Sequence, residues 1–221
     1  MRQRKIKDIA SKIAALEHLI ISNDEGAPGK WRAFFETEEG SFDIERKLYL
    51  EIGCGRGGFI TESASRNPEG LYIGAEGLPS VIIRALEAVE SLELTNVRFI
   101  DSYINDIEAM FAEGELDGIF LNFSDPWPKV RHAKRRLTHI DRLRKYAAVL
   151  RPGAILEFKT DNDELFEYSL EEMKACEGFD IKFVTRDLHA SEVHDASPET
   201  EYERKFAAMG KSINYVALVR K

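Results

Sequence analysis

The stretch Lys47-Leu48-Tyr49-Leu50-Glu51-Ile52-Gly53-Cys54-Gly55-Arg56-Gly57-Gly58 decides the fold. An apolar run leads into a glycine-rich turn, and an amphipathic segment follows over about 59–66. This order predicts a strand over 47–52, a tight turn and a helix, which is the opening unit of an α/β fold. Gly53, Gly55 and Gly58 satisfy G-x-G-x-x-G, a spacing that lets the backbone approach a ligand closely.

The same alternation continues along the chain. The patterns predict further strands over 71–76, 97–100, 117–123, 154–159, 181–185 and 213–219, and helices over 6–20, 79–90, 140–150 and 164–175. Arg151-Pro152-Gly153 is predicted to turn into the strand that begins at Ala154. We therefore predict an α/β fold with an open, doubly wound, mostly parallel sheet and helices on both faces.

Composition limits the number of domains and the compartment. With 221 residues and 43% hydrophobic content, the chain is predicted to form one domain over 41–221, preceded by a basic, helical extension over 1–40. Cys54 and Cys176 form no disulfide framework and no metal-ligand spacing, so we expect a reducing, cytoplasmic setting and no metal. Charges interrupt every long apolar run, which predicts no membrane span and no export signal.

The charge distribution predicts a polyanionic partner. The formal net charge is -8, yet residues 129–151 contain nine Lys or Arg residues against one acid, Asp141. Residues 1–15 add five basic residues against Asp8. A basic stripe on an acidic body steers a polyanion such as RNA towards one surface. The alternative interpretation is a solvated basic helix face with no partner.

Acidic residues around the glycine turn bear on the kind of ligand. Glu76 follows Gly58 by about eighteen residues at the next strand end, where a carboxylate accepts hydrogen bonds from ribose hydroxyls. Glu51 precedes the first glycine, where it would repel a pyrophosphate and attract a sulfonium and an ammonium group. The pair favours S-adenosylmethionine over a dinucleotide, unless Glu51 simply faces solvent.

The segment after the third predicted strand offers two positions for an adenine contact. Asn105 can reach the base with its polar side chain, or it can cap a helix that starts there. Tyr103 competes with it for the contact.

The fourth predicted strand leads into Asn122-Phe123-Ser124-Asp125-Pro126-Trp127-Pro128-Lys129. Two prolines fix the backbone, so Asp125 and Trp127 are held rigidly at the ligand-binding edge of the sheet. A carboxylate accepts hydrogen bonds from the edge of a base, while an aromatic ring stacks on its face. The alternatives are that Trp127 packs in the core and that Asp125 stabilises a turn.

Three motifs in this order resemble the bacterial tRNA (guanine-N7-)-methyltransferase family. They are Asp-Pro-Trp-Pro-Lys-x-Arg-His-x-Lys-Arg-Arg-Leu at 125–137, Lys159-Thr160-Asp161-Asn162, and Thr200-Glu201-Tyr202-Glu203-Arg204-Lys205-Phe206. The resemblance covers about residues 45–221. It implies a Rossmann-like methyltransferase fold and transfer of a methyl group from S-adenosylmethionine to N7 of a guanine in tRNA, the variable-loop guanine at tRNA position 46.

The resemblance also implies roles for individual residues. The cofactor-binding set, which includes two of the turn glycines, is Glu51, Gly53, Gly55, Glu76, Asn105 and Asp125. Asp125 is also the expected catalytic residue. The substrate-binding set is Lys129, Asp161, Thr200, Glu201, Tyr202 and Glu203. The RNA-binding set is Arg131, His132, Lys134, Arg135 and Arg136.

Other functions remain open at this stage. Asn-Phe-Ser-Asp-Pro-Trp-Pro distantly resembles the turns of enzymes that methylate exocyclic amines, although Trp127 precedes the second proline. A different RNA substrate and a non-catalytic RNA-binding module are further alternatives. A dehydrogenase lacks an identifiable catalytic histidine, because His18, His132, His139, His189 and His194 are interpreted as surface or RNA-facing residues. The chain is expected to be a monomer or a homodimer.

Overall fold

The chain forms two compact units. The computed structural model describes residues 8–21, 28–35, 46–193, 198, 200, 202–203 and 210–221. Unit 1 is Met1–Asn105 and unit 2 is Asp106–Lys221. The predicted boundary near residue 40, between an extension and the main domain, falls outside the described residues.

The described residues of unit 1 include three parallel strands. Strand β2 lies in the middle and pairs with β1 on one side and with β3 on the other. The elements in chain order are α1 (Ile9–Ala14), β1 (Leu48–Ile52), α2 (Gly58–Arg66), β2 (Leu71–Ala75), α3 (Pro79–Ser91) and β3 (Val97–Ile100). From β1 to β3, each strand and each helix begins within about one residue of its predicted start.

Gly57 explains how α2 starts so close to α3. It takes the left-handed conformation with φ 80°, and a Cβ placed on it would lie 2.7 Å from the Cβ of Ala85 in α3. Only glycine accepts both the backbone conformation and the contact. Pro79 lies in the first turn of α3. The backbone N–H groups of a first turn have no partner within the helix, so a proline, which has no N–H, removes no helical hydrogen bond there.

The N-terminal helix is shorter than predicted. A single helix over 6–20 is wrong, because α1 ends at Ala14 and a separate 3₁₀ turn covers Glu17–Leu19. None of the residues of α1 is buried, so packing gives little support to a longer helix. Instead the Ile21 amide donates to the Phe99 carbonyl at 2.8 Å, and Leu19 and Ile21 are buried beside β3.

The described residues of unit 2 form four strands and two α-helices. Strand β4 pairs in parallel with β5, which pairs antiparallel with β7, and β7 pairs antiparallel with β6. The elements are β4 (Leu116–Asn122), α4 (Ile140–Val149), β5 (Leu150–Thr160), α5 (Asp163–Ala175), β6 (Phe179–Thr185) and β7 (Asn214–Arg220), with a 3₁₀ helix over Val130–Arg135. Every residue of β4 is buried, as expected for a strand covered on both faces.

The predicted turn at 151–153 is wrong in one respect, since these residues lie inside β5. Leu150 pairs with Leu116, but Ile155 pairs with Gly118, so the residues in between bulge out of the ladder. Gly153 has φ 81° in this bulge. Arg151 extends from the bulge to Asp117, with Nε 3.1 Å from Oδ1. The sheet tolerates the insertion because the extra residues stay at the exposed start of the strand.

The predicted mostly parallel α/β architecture is confirmed. Strands β1, β2 and β3 are mutually parallel, and β4 and β5 are parallel. Helices connect β1 to β2, β2 to β3, β4 to β5 and β5 to β6, and β7 runs antiparallel to its neighbours. The carboxyl ends of parallel strands are where ligands bind in such folds. In unit 1 these ends lead into the glycine turn and Glu76, and in unit 2 they lead into Phe123 and Asp161.

Candidate active site

The glycine turn of unit 1 leaves open space beside two of its glycines. Gly53 and Gly55 have φ 78° and 59°, and a Cβ built on either would meet no other atom within 4 Å. The amides of Gly53 and Cys54 both donate to the Ala75 carbonyl, at 2.8 and 3.0 Å, which holds the start of the turn on β2. The turn is therefore rigid where it leaves the sheet and unobstructed on its outer side, as a ligand cradle requires.

Two carboxylates converge on this turn. Glu51, at the end of β1, is buried, and Glu76, just after β2, is half-buried with its Oε1 accepting from the Leu78 amide at 2.9 Å. Burial raises the pKa of the Cys54 thiol, and the negative charges of Glu51 and Glu76 raise it further. The turn is thus a site of negative potential, which suits a cationic ligand and disfavours a pyrophosphate.

The two candidate adenine positions differ in surroundings. Tyr103 is 61% exposed, and its ring lies flat on the backbone at Gly77, where a Cβ would come within 2.5 Å of it. Asn105 is exposed, and no helix begins there, because the described residues 101–115 form bends and turns. The capping role considered for Asn105 is therefore wrong, while the choice between it and Tyr103 stays open.

Unusual backbone flanks Asp125 in the loop after β4, residues 123–128, which we call the Asp125 loop. Phe123 and Trp127 both have positive φ, at 50° and 42°, although neither is glycine. Bulky residues rarely adopt this conformation, and such strain persists at sites where the surrounding structure imposes it. The Phe123 amide donates to the Lys159 carbonyl at 2.9 Å, which fixes one end of the loop on β5. The Asp125 side chain itself is exposed.

Trp127 lies outside the buried core, half-exposed among basic residues. The guanidinium of Arg135 lies 4.8 Å from the centroid of its ring, and the ring of His132 meets it edge-on at 5.7 Å. The core-packing alternative for Trp127 is therefore not supported. One face of the indole is already covered by a cation, so a stacking base would use the other face or displace Arg135.

Four of the predicted RNA-binding residues lie in the 3₁₀ helix Val130–Arg135, and Arg136 follows it directly. Lys129, Arg131, Lys134 and Arg135 are exposed, and the Lys134 side chain is 82% exposed. His132 and Arg136 are half-buried, and Arg136 bonds back to the Asp125 loop. The basic stretch thus presents four cations to solvent beside the Asp125 carboxylate.

The predicted substrate contacts near the C-terminus divide into exposed and buried residues. Tyr202 is 53% exposed, and its ring lies 5.6 Å from that of Phe123 in the Asp125 loop. Asp161 is partly exposed after β5, with Lys211 Nζ 3.7 Å from its Oδ2. Thr200 is buried, and its hydroxyl accepts from the Glu203 amide at 2.8 Å. Glu201 lies outside the described residues.

Glu203 is fully buried and bonded inside the protein. Its Oε2 lies 3.1 Å from Nζ of Lys159, and its Oε1 lies 3.1 Å from Nε2 of His189. Lys159 also donates to the Pro198 carbonyl at 2.9 Å. The structure gives Glu203 an internal role, so any effect on substrate passes through the residues it holds.

Sequence reasoning missed two members of this network. Lys159 was part of a motif but had no role, and His189 was interpreted as a surface or RNA-facing residue, whereas its ring bonds to Glu203. A lysine at the end of the apolar strand 154–160 was the available signal, because a strand-end lysine among apolar residues needs an internal partner when buried.

The described part of the chain shows neither a metal-ligand cluster nor a membrane-spanning helix. No group of three or more His, Cys, Asp or Glu side chains there is arranged to hold a metal ion. None of the helices there combines the length and the apolar character that a membrane span requires.

Several solved structures that the chain resembles are methyltransferases. The chain matches "Structure of an antibiotic related Methyltransferase" with a TM-score of 0.58 and 19% identity, over 84% of this chain and 98% of that one. It matches the 16S rRNA methyltransferase KamB with a TM-score of 0.57 and 16% identity, over 79% and 88%. A Haemonchus contortus phosphoethanolamine N-methyltransferase 2 in complex with S-adenosyl-L-methionine matches with a TM-score of 0.52 and 16% identity, over 88% and 53%. At these identities the likeness establishes the fold, and it confirms the predicted Rossmann-like methyltransferase fold.

A match to a protein family narrows the class of methyltransferase further than the fold does. The sequence model of a family described as "Putative methyltransferase" matches residues 45–216, most of the chain and all three motifs up to Phe206. This is the family of tRNA guanine-N7-methyltransferase, whose members depend on S-adenosylmethionine. With its acidic glycine turn and its methyltransferase fold, the chain belongs to this family and is an S-adenosylmethionine-dependent methyltransferase.

Proposed function

We propose that the protein transfers the methyl group of S-adenosylmethionine to N7 of a guanine in tRNA. The observation that carries the proposal is the Asp125 loop, in which Asp125 is exposed, Trp127 two residues later is half-exposed under Arg135, and a run of exposed cations follows along the chain. A carboxylate and a ring suit a base, while Lys129, Arg131, Lys134 and Arg135 suit the phosphates around it. By resemblance to the family, the target is the variable-loop guanine at tRNA position 46.

The residues of unit 1 fit the methyl donor. Glu51 and Glu76 make the glycine turn acidic, and Gly53 and Gly55 leave its outer side open. A donor with a sulfonium and an ammonium group and no phosphate is attracted to such a turn. Glu76 holds the ribose hydroxyls, and Asn105 or Tyr103 contacts the adenine. When bound, S-adenosylmethionine supplies an electrophilic methyl group.

Asp125 orients and stabilises rather than removing a proton. Guanine N7 carries an in-plane lone pair and no proton, so methylation needs alignment more than a general base. Positive charge develops on the guanine as the new bond forms, and carboxylates near it lower the energy of that state. Asp125 and Asp161 supply these charges. Asp125 is therefore the catalytic residue of the proposal, and the family resemblance also assigns it to the cofactor-binding set.

The substrate-binding residues act in two ways. Lys129, Asp161 and Tyr202 are accessible enough to contact the nucleotide directly. Thr200 and Glu203 are buried and hold the segment that carries Tyr202, while Glu201 completes the predicted set. The basic residues supply salt-sensitive affinity, and the carboxylates choose the base. A tRNA substrate implies a cytoplasmic location for the protein.

The decisive experiment identifies the methylated atom. Unmodified tRNA is incubated with the protein and labelled S-adenosylmethionine, and the digested RNA is analysed by mass spectrometry. We expect label in 7-methylguanosine, and none when the target guanine is replaced by 7-deazaguanine, which lacks the N7 nitrogen. Label on an exocyclic amine would overturn the N7 assignment and keep the methyltransferase. Donor binding without label in any tRNA would overturn the tRNA substrate.

A further inference from the structure

Arg136 differs from the other cations of the basic stretch in where its guanidinium points. Its Nε donates to the Pro126 carbonyl at 3.0 Å, and its Nη2 donates to the Trp127 carbonyl at 3.1 Å. Two successive carbonyls of the Asp125 loop are thus held by one planar group. A guanidinium has the fixed fork that such a contact needs, and an ammonium does not.

The other side of the same guanidinium is fixed on helix α5. Its central carbon lies 4.1 Å from the centroid of the Tyr168 ring. Burial and the nearby Glu172 carboxylate raise the pKa of the Tyr168 hydroxyl, and the Arg136 cation acts in the opposite direction. Glu172, one turn further along α5, accepts from the Ile140 amide at 2.6 Å. Arg136 therefore connects the Asp125 loop to α5, which Glu172 in turn joins to the start of α4.

The loop has a reason to need this connection. Trp127, whose carbonyl Arg136 holds, has φ 42°, a conformation that costs on the order of 1–3 kcal/mol for a residue other than glycine. Asp125 lies two residues away from it. A strained backbone relaxes unless contacts outside it impose the conformation. Arg136 supplies such contacts at both peptide groups that flank Trp127.

We propose that Arg136 is a positioning residue, which holds the Asp125 loop in its strained conformation and makes no contact with RNA phosphate. This assigns Arg136 a role different from the RNA contact that the sequence predicted, and it rests on the proposed function for its catalytic consequence. Arg136 acts through the loop carbonyls on Asp125 and Trp127. The exposed cations Lys129, Arg131, Lys134 and Arg135 then carry the phosphate contacts.

The first test needs no RNA. The chain has two tryptophans, and Trp31 is completely buried. In a Trp31→Phe background, acrylamide quenching of fluorescence therefore reports on Trp127 alone. We expect Arg136→Lys to increase the quenching constant of Trp127 by about twofold while circular dichroism stays unchanged, since the fork is lost and a cation is kept. Lys134→Gln is the matched control and should leave quenching as it is. Unchanged quenching in Arg136→Lys would overturn the positioning role.

The second test separates positioning from phosphate binding. The dissociation constant for tRNA is measured against salt, and kcat and KM are measured for the same variants. Removing one phosphate contact lowers the slope of log K against log salt by about 0.7–0.9. We expect this loss for Lys134→Gln and an unchanged slope for Arg136→Gln, whose kcat falls by about ten- to a hundredfold through misplacement of Asp125.

The two tests distinguish the inference from the proposed function. A slope change in Arg136→Gln equal to that in Lys134→Gln would show a phosphate contact and overturn the inference. A wild-type protein that does not bind tRNA would overturn the proposed function, while the quenching experiment would still decide the role of Arg136. Should Arg136→Gln fail to fold, Tyr168→Leu removes the support on α5 and keeps Arg136. We then expect the same fall in kcat with an unchanged slope, and an unaffected kcat would count against the inference.

Discussion

Nζ of Lys159 lies 3.1 Å from Oε2 of Glu203, and both side chains are completely buried. The pair joins the end of β5 to the segment that contains Thr200 and Tyr202, and His189 and the Pro198 carbonyl complete the network. Burying a charge away from water costs free energy unless the charge has hydrogen-bond partners, and here each of the two charges has at least two. The network explains why a segment far along the chain stays in place beside Asp161 and the Asp125 loop.

Breaking this pair from one side is expected to destabilise the protein. Lys159→Met leaves the Glu203 charge buried beside an apolar side chain, and we expect a loss of about 3–5 kcal/mol in the free energy of unfolding. Urea denaturation measures it. The double variant with Glu203→Gln removes both charges and should lose clearly less than the two single variants added together. Strict additivity of the two changes would refute the coupling.

Asp125→Asn is expected to remove turnover and to keep RNA affinity. The amide preserves the shape of the side chain but not its charge, so stabilisation of the developing guanine cation is lost. We expect kcat to fall by about a hundred- to a thousandfold, with the dissociation constant for tRNA changed by less than about twofold. Single-turnover methylation and filter binding measure the two quantities. Asp180→Asn, an equally conservative change at a side chain that is 74% exposed on β6, is the control and should be neutral. An Asp125→Asn enzyme with wild-type kcat would rule out the catalytic role.

Substitutions of the turn glycines are expected to act in two ways: at Gly53 on the affinity for the donor, and at Gly57 on the packing of the protein. An alanine at Gly53 meets no protein atom, so its cost in stability is the left-handed conformation alone, about 1–2 kcal/mol. Its Cβ would fill the space proposed for the donor, and we expect calorimetric affinity for S-adenosylmethionine to fall by at least about tenfold. Gly57→Ala adds a 2.7 Å contact with Ala85 and should destabilise the protein more. Equal donor affinity in wild type and Gly53→Ala would place the donor elsewhere.

Alkaline pH is expected to destabilise the protein in part through Tyr146. Burial raises the pKa of Tyr146 to about 12, while nearby Arg142 acts in the opposite direction. In the unfolded chain the pKa of a tyrosine is about 10. The contribution of Tyr146 to stability is therefore complete below that pH and is lost as the pH rises towards the pKa in the folded protein. Between pH 9 and 11.5 the free energy of unfolding should fall more steeply in wild type than in Tyr146→Phe, by on the order of 2 kcal/mol. Parallel pH profiles from urea titrations would contradict this.

Much of the fold followed from local patterns. The strand over 97–100 and the start of the helix at Pro79 were predicted at the residues where the structure has them. Alternation of apolar residues and the chemistry of glycine and proline act over a few residues, so a sequence exhibits them directly. The N-terminal helix was overestimated for the opposite reason, because the chain after Ala14 exchanges helical hydrogen bonds for a contact with Phe99 on β3.

The candidate site was predicted as a set of residues but not as an arrangement. The acids at Glu51, Glu76 and Asp125 are apparent from their positions at strand ends, and the motifs around Trp127 and Asp161 from their order. The internal role of Glu203 was not predictable, because Lys159 lies 44 residues before it. The engagement of Arg136 with Tyr168 on α5 was hidden for the same reason.

The sequence by itself determined the α/β fold, the acidic glycine turn and the family, because each depends on residue types at short, fixed spacings. The tertiary structure alone decided which charged residues face solvent and which are bonded to partners inside the protein. Lys134 and Arg136 are two residues apart in one basic run, yet one is exposed and the other holds the Asp125 loop. The difference arises because a buried polar group is stable only where the fold brings it a partner, and the partners of Arg136 and Glu203 come from distant parts of the chain.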